Sequence, residues 1–184
     1  MPPVEEGSHV TVASDPEIQS PITLDEYLHS AYQPDCDFAD GEIQERLWGE
    51  PEHSLVQGAL AYWFASHDKQ WNTYTALSLR IRVAPTRVRI ADVCLISRNA
   101  PREQVLATPP LAVIEVVSPE DRVSRFIERI DDYRRMGIHH IWVIDPKTRR
   151  GFDCSSGSWI ETQSFAIEDS PIRVDLTAIL AELT

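Results

Sequence analysis

Two apolar stretches, "RIADVCLI" (89–96) and "LAVIEVVS" (111–118), each carry a single acid, Asp92 and Glu115. Both are short, rich in Val and Ile and bounded by polar or proline punctuation, the signature of strands. On a strand, residues two apart share a face, so Asp92 sits with Ile90, Cys94 and Ile96, and Glu115 with Leu111, Val113 and Val117. The opposite faces, Ala91, Val93, Leu95 and Ala112, Ile114, Val116, are apolar as well. Each strand must therefore be covered on both sides, which restricts the chain to a sheet with helices packed over its faces. An ionised carboxylate in such a strand takes up a proton, pairs with an arginine or binds a metal ion. Arg80, Arg82, Arg89 and Arg129 are the candidate arginine partners.

The remaining elements follow from local patterns. "TLDEYLHSAY" opens with Thr23 and Glu26 at capping-box spacing and starts a short helix. Asp40-Gly41 in "DFADGEIQERL" is a hairpin turn between two β-compatible flanks. From His53, the apolar residues Leu55, Val56, Leu60, Trp63 and Phe64 make one buried helical face. "YTALSLRIRV" and "VRIADVCLIS" are strands joined by a turn around Pro85, and "LAVIEVVS" is a third. In "DRVSRFIERIDDYRRM", Val123, Phe126, Ile127, Ile130 and Tyr133 form a helical stripe that Gly137 ends. "HIWVIDP" is a further buried strand; "GFDCSS" and "SWIETQSF" form a hairpin, and "VDLTAILAEL" a closing helix. The expected fold class is thus α/β: a mixed sheet with the core order helix, three strands, helix, strand, plus an N-terminal helix and hairpin and a C-terminal hairpin and helix. Residues 1–20 read as a mobile tail and 21–184 as a single domain.

Several functions are excluded by what the chain lacks. It has no P-loop, GxGxxG, nucleophile elbow or HExxH, which removes nucleotide kinases, dehydrogenases, serine hydrolases and zincins. Three widely spaced cysteines without a CxxC pair support neither a disulfide framework nor a zinc knuckle, and point to a reducing, cytoplasmic setting. No segment approaches membrane-spanning length. With 17 basic residues against 29 acidic ones, the net charge of −12 argues against binding nucleic acid by bulk electrostatics. Arg80 with Arg82, and Arg87 with Arg89, share strand faces and could track a nucleic-acid backbone, an exposed charged edge being the plainer reading. His53 and His67, at the two ends of one helix, read as capping or surface residues.

The run "ADV", then "IEVVSPEDR", an amphipathic helix ending "YRRMGI", and "IWVIDP" resembles the Uma-type family of restriction-endonuclease-like proteins, a branch of the PD-(D/E)XK nuclease superfamily. The similarity extends from about Leu24 to Leu180 and is most specific between Glu115 and Pro146. It implies a metal-dependent endonuclease hydrolysing phosphodiester bonds, with DNA as substrate, and a homodimer built on a sheet edge or on the apolar remainder of the long helices. Asp92 matches the first strand acid of the family, Glu115 the acid of its E-x-V segment, and Glu42 an acid near its N-terminus with a secondary role. The superfamily's lysine two residues after the second acid is here Val117; the family's helix-borne lysine falls at Arg129, and Arg125 stands where many relatives have an acid. The resemblance assigns Mg²⁺ (or Mn²⁺) to Asp92, Glu115 and the Val116 carbonyl, an oxygen set of the kind that ion prefers. Arg129, flanking the apolar stripe on the same helix side as Arg122, would supply positive charge to the transition state without being able to act as a base. The alternative is a catalytically silent nuclease-fold protein acting as a dimeric binding or regulatory module.

Overall fold

The computed structural model describes residues 21–32, 35–46, 51–119 and 122–183; the expected tail at 1–20 lies outside them. The chain begins with α1 (Leu24–Leu28), which carries the capping box in full: the Glu26 N–H donates to the Thr23 hydroxyl at 3.2 Å, and Glu26 accepts from the Thr23 N–H at 2.7 Å. β1 (Cys36–Ala39) and β2 (Glu42–Glu45) pair as an antiparallel hairpin. Its turn needs two left-handed residues, Asp40 (φ 51°) and Gly41 (φ 95°), which the Asp-Gly pair supplies. After α2 (Pro51–Trp71) come β3 (Thr73–Ala84), β4 (Arg87–Ser97) and β5 (Ala112–Val116). α3 (Val123–Met136) then ends in Gly137 at φ 91° and carries the chain back to β6 (Ile141–Asp145). β7 (Arg150–Asp153) and β8 (Ile160–Thr162) form the expected hairpin, and β9 (Ser164–Ala166), β10 (Arg173–Asp175) and α4 (Leu176–Ala181) close the described residues.

The main sheet runs β2-β1-β4-β5-β6-β7-β8, with β3 on the other edge of β4. β5 and β6 pair in parallel, and α3 is the crossover that a parallel pair requires. The core order helix, three strands, helix, strand is therefore present as α2, β3–β5, α3 and β6.

Both faces are covered. On one, Val56, Leu60 and Phe64 of α2 pack with Val93, Leu95, Ile114, Val116 and Trp142, joined by Leu176, Ile179 and Leu180 of α4. On the other, Phe126, Ile130 and Tyr133 of α3 pack with Cys94, Val113, Ile141 and Val143. β4 and β5 are buried over most of their length, as their sequence required.

The helical stripes need correction in detail. Leu55 (56% exposed), Val123 (73%) and Ile127 (43%) point to solvent, while Arg129 and Asp132 of α3 are buried at 4% and 3%. α3 is thus rotated so that part of its inner face is charged. The reason is an ion network beneath it. Arg89, fully buried, donates through Nε to Asp132 at 2.7 Å and through Nη1 to Gln44 at 2.7 Å, and lies 3.4 Å from Asp37. Arg87 reaches Asp132 (3.2 Å) and Glu128 (2.7 Å) and also pairs with Asp40 in the hairpin turn. Arg80 pairs with Asp35 at 2.5 Å. Arg80, Arg87 and Arg89 are therefore internal clamps tying the β1–β2 hairpin to the sheet and to α3, not a track for a nucleic-acid backbone.

Removing one partner of such a network strands a buried charge. Asp132→Ala should destabilise the protein by on the order of 3 kcal/mol, read as a lowered urea midpoint with unchanged slope; a midpoint equal to wild type would show that Glu128 and Asp37 suffice for Arg89.

Candidate active site

The register between β4 and β5 brings the two strand acids together. Val93 stands opposite Ile114; one step further along the same register sets Asp92 against Glu115, and directly opposed residues of an antiparallel pair put their side chains on one face. The ladder stops at this step, and the Asp92 side chain takes over from the backbone: its Oδ2 accepts from the Val116 N–H at 2.8 Å. Asp92 is 5% exposed and Glu115 fully buried.

Both carboxylates meet the same cation. Arg46, immediately after β2, places Nη2 at 2.7 Å from Asp92 Oδ1 and 3.3 Å from Glu115 Oε2, and its Nη1 donates to the Ile90 carbonyl. Arg129 approaches Glu115 Oε2 from α3 at 3.2 Å and donates through Nε to Asp37 at 3.1 Å. Asp37 in turn accepts from the Ile90 N–H at 2.9 Å, which fixes the hairpin against β4. Tyr133 donates its hydroxyl to the other Glu115 oxygen at 2.7 Å. From α2, His53 and Gln57, one turn apart on a single helix face, reach Asp92: His53 Nε2 is 3.4 Å from Oδ2, and Gln57 Nε2 donates to the Asp92 main-chain oxygen at 2.9 Å.

Of the candidates named from sequence, the structure brings together Asp92, Glu115, Val116 and Arg129. Glu42 is not among them: it lies exposed at the first position of β2, opposite Ala39 beside the hairpin turn. Arg129 is a buried member of the cluster, not a solvated flank of the stripe. Of the four arginines considered as partners for the acids, only Arg129 serves; Arg80 and Arg89 are engaged elsewhere. Arg46, Asp37 and Gln57 escaped the sequence reading, and His53, expected as a capping or surface residue, is instead largely buried beside Asp92. The His53/Gln57 spacing at a helix start was a usable signal, but nothing local told Arg46 from any other hairpin arginine.

The two acids differ in how readily they hold a proton. Burial, and then the neighbouring Asp92 charge, raise the Glu115 pKa to about 7 against the pull of Arg129 and Arg46. Burial also opposes the charge on Asp92, yet Arg46, His53 and the Val116 N–H together hold its pKa below the usual carboxylate range. His53 is shifted upward: burial works against its charged form, but the hydrogen bond and charge of Asp92 outweigh it. Burial likewise opposes ionised Asp37, and Arg129, Arg46 and Arg89 reverse this.

A pH dependence of stability follows. With its folded pKa raised, Glu115 keeps a proton that the unfolded chain has released, so its contribution is complete below the ordinary carboxylate value and lost as pH rises through about 7. His53 adds the same sign at higher pH, whereas the depressed Asp37 and Asp92 act only in acid. Melting temperature should therefore fall from about pH 5 to pH 8, and Glu115→Gln should flatten that slope. An equally steep decline in Glu115→Gln would place the titrating group elsewhere.

Among curated proteins none matches the chain. A solved structure from Anabaena variabilis, described as "a putative nuclease belonging to DUF820", superposes with a TM-score of 0.76 at 20% identity, covering 89% of this chain and all of that one. That likeness establishes the fold. The Uma2 family model, described as "Putative restriction endonuclease", matches residues 24–179. Spanning nearly all of the described structure, this match shows that the chain belongs to the Uma2 family.

Proposed function

We propose that the protein is a metal-dependent endonuclease that hydrolyses phosphodiester bonds in DNA. The observation carrying this reading is the convergence of Asp92 and Glu115, on adjacent strands, upon one positively charged nitrogen. Two acids that share a cation at about 3 Å from each are a fitting pair of oxygen donors for Mg²⁺ or Mn²⁺, which binds through one or two carboxylates and keeps several waters. The main-chain carbonyl of Val116, whose N–H already bonds Asp92, would be the third donor. When bound, such an ion supplies Lewis-acid polarisation of the phosphate and a nucleophilic water at neutral pH.

The chain's own residues have separable tasks in this scheme. Asp92 and Glu115 hold the cation, and the Val116 N–H and Gln57 hold Asp92. Tyr133 and Arg129 orient Glu115 from beneath, and Arg129 adds a positive charge that it never releases. His53, 12% exposed at the side chain, borders Asp92 where the site approaches solvent. DNA is preferred as substrate because of the family to which the chain belongs. Three buried, widely spaced cysteines are in keeping with a cytoplasmic location.

A second reading has its own support: the acids are already matched by arginines, and the described residues contain no cluster of three or more metal-ligating side chains. On that reading the protein is a silent, dimeric binding module. For either reading we propose a homodimer, since the outer edge of β3 from Thr73 to Leu79 has no partner strand among the described residues and presents Leu77 at 49% exposure. Sedimentation at tens of micromolar should give twice the chain mass; a monomer would remove this element.

Cleavage of single- and double-stranded DNA with Mg²⁺ or Mn²⁺ decides between the two. Asp92→Asn and Glu115→Gln should each lower the rate by about 10²-fold or more, since each removes a charge aimed at the reacting centre. Arg129→Ala should lose activity to a similar degree and also destabilise the fold, because it strands Asp37 and Glu115. Arg129→Lys should retain activity. A wild type inactive on both substrates with both metals makes the silent module the better reading.

A further inference from the structure

Resting on the metal-dependent reading, we propose that Arg46 is the resident cation of the site: it holds Asp92 and Glu115 together and yields its place when a divalent metal binds. Its Nη2 lies 2.7 Å from one carboxylate and 3.3 Å from the other, the point a shared metal ion would have to occupy. A guanidinium and a divalent cation cannot both sit there; their charges repel, and both acids already direct an oxygen to the same spot.

The two arginines of the site differ in their freedom to leave. The Arg129 side chain is 5% exposed, bonded to both Asp37 and Glu115, and set over the Phe126 ring at 5.6 Å. It belongs to the packed underside. Arg46 follows the last residue of β2, has 15% of its side chain exposed, and is held otherwise by the Ile90 carbonyl. Turning outward, it would regain water and leave the Phe126, Ile130 and Tyr133 core untouched. Its loss alone would leave two carboxylates facing one another; its replacement by a doubly charged ion does not. The exchange therefore explains how a site lined by arginines can serve a metal. It also makes Arg46 a positioning residue, preserving the convergence of the acids between metal-binding events.

The test is calorimetric titration of Mn²⁺ into wild type, Arg46→Met and Asp92→Asn at pH 8. Removing a competing occupant raises the binding-competent fraction, so Arg46→Met should bind one Mn²⁺ about tenfold or more tighter than wild type, and Asp92→Asn should bind none. Metal-free Arg46→Met should melt below wild type and gain more from Mn²⁺. Equal affinity in wild type and Arg46→Met overturns the exchange while leaving the metal-dependent reading intact; absence of binding in both overturns the two together. Should Arg46→Met fail to fold, wild type carries the test. The Arg46 Nε–Hε resonance, identified by its disappearance in Arg46→Lys, should move to the position of a solvated arginine as Mg²⁺ saturates the site. A resonance unmoved by saturating Mg²⁺ overturns the exchange.

Discussion

Asp92 and Glu115 cannot both be ionised in a buried sheet unless something positive stands between them, and much of the surrounding structure answers that demand. Five elements contribute. β4 and β5 supply the acids, the β1–β2 hairpin brings Asp37 and Arg46, α3 brings Arg129 and Tyr133, and α2 brings His53 and Gln57. Burying charge costs more than burying hydrocarbon of the same size, so such a cluster is weak as a source of stability and strong as a specifier of arrangement. A hairpin docked one register away would part Asp37 from Arg129 and Arg46 from Asp92 and Glu115.

The same logic links site to fold through a second layer of ion pairs. Asp132 and Arg89 lie behind Asp37, with Arg87 and Glu128 nearer the surface. These pairs rotate α3 until Arg129 and Asp132 face inward and Val123 and Ile127 face out. The helix is held by apolar contact through Phe126, Ile130 and Tyr133 and oriented by charge through its neighbouring positions. Function and fold are hard to separate here, because Arg129 both completes the α3 interface and touches the acid at the centre of the site.

Positive charge at this site is carried by guanidinium groups, those of Arg46 and Arg129. An arginine holds its proton under all relevant conditions and can bridge two acceptors with a planar fork. It therefore suits the task of keeping acids together better than that of exchanging protons. The proton-exchanging groups that remain near Asp92 and Glu115 are His53 and Glu115 itself, whose pKa values are both displaced upward. An acid and an imidazole that titrate among fixed guanidinium charges let a buried polar site stay ordered and still respond to pH.

What the sequence determined by itself was whatever depends on neighbours along the chain. The capping box of α1, the Asp40-Gly41 turn, the Gly137 stop and the doubly apolar strands of Asp92 and Glu115 are local or periodic, and each appears in the fold. The need of the two acids for a positive partner was equally legible, since it follows from solvation alone. Which cation answers that need was decided by tertiary structure. Arg46 lies 46 positions from Asp92 and 69 from Glu115, and Asp37 lies 92 from Arg129. Their meeting depends on where a hairpin docks and how far α3 is turned. Periodicity assigned the inner face of α3 by hydrophobicity, and by that measure an arginine and an aspartate belong outside. Only when hairpin, sheet and helix are assembled does each buried charge find its opposite, and those pairings offset the cost of burying Arg129 and Asp132 while Val123 and Ile127 face out.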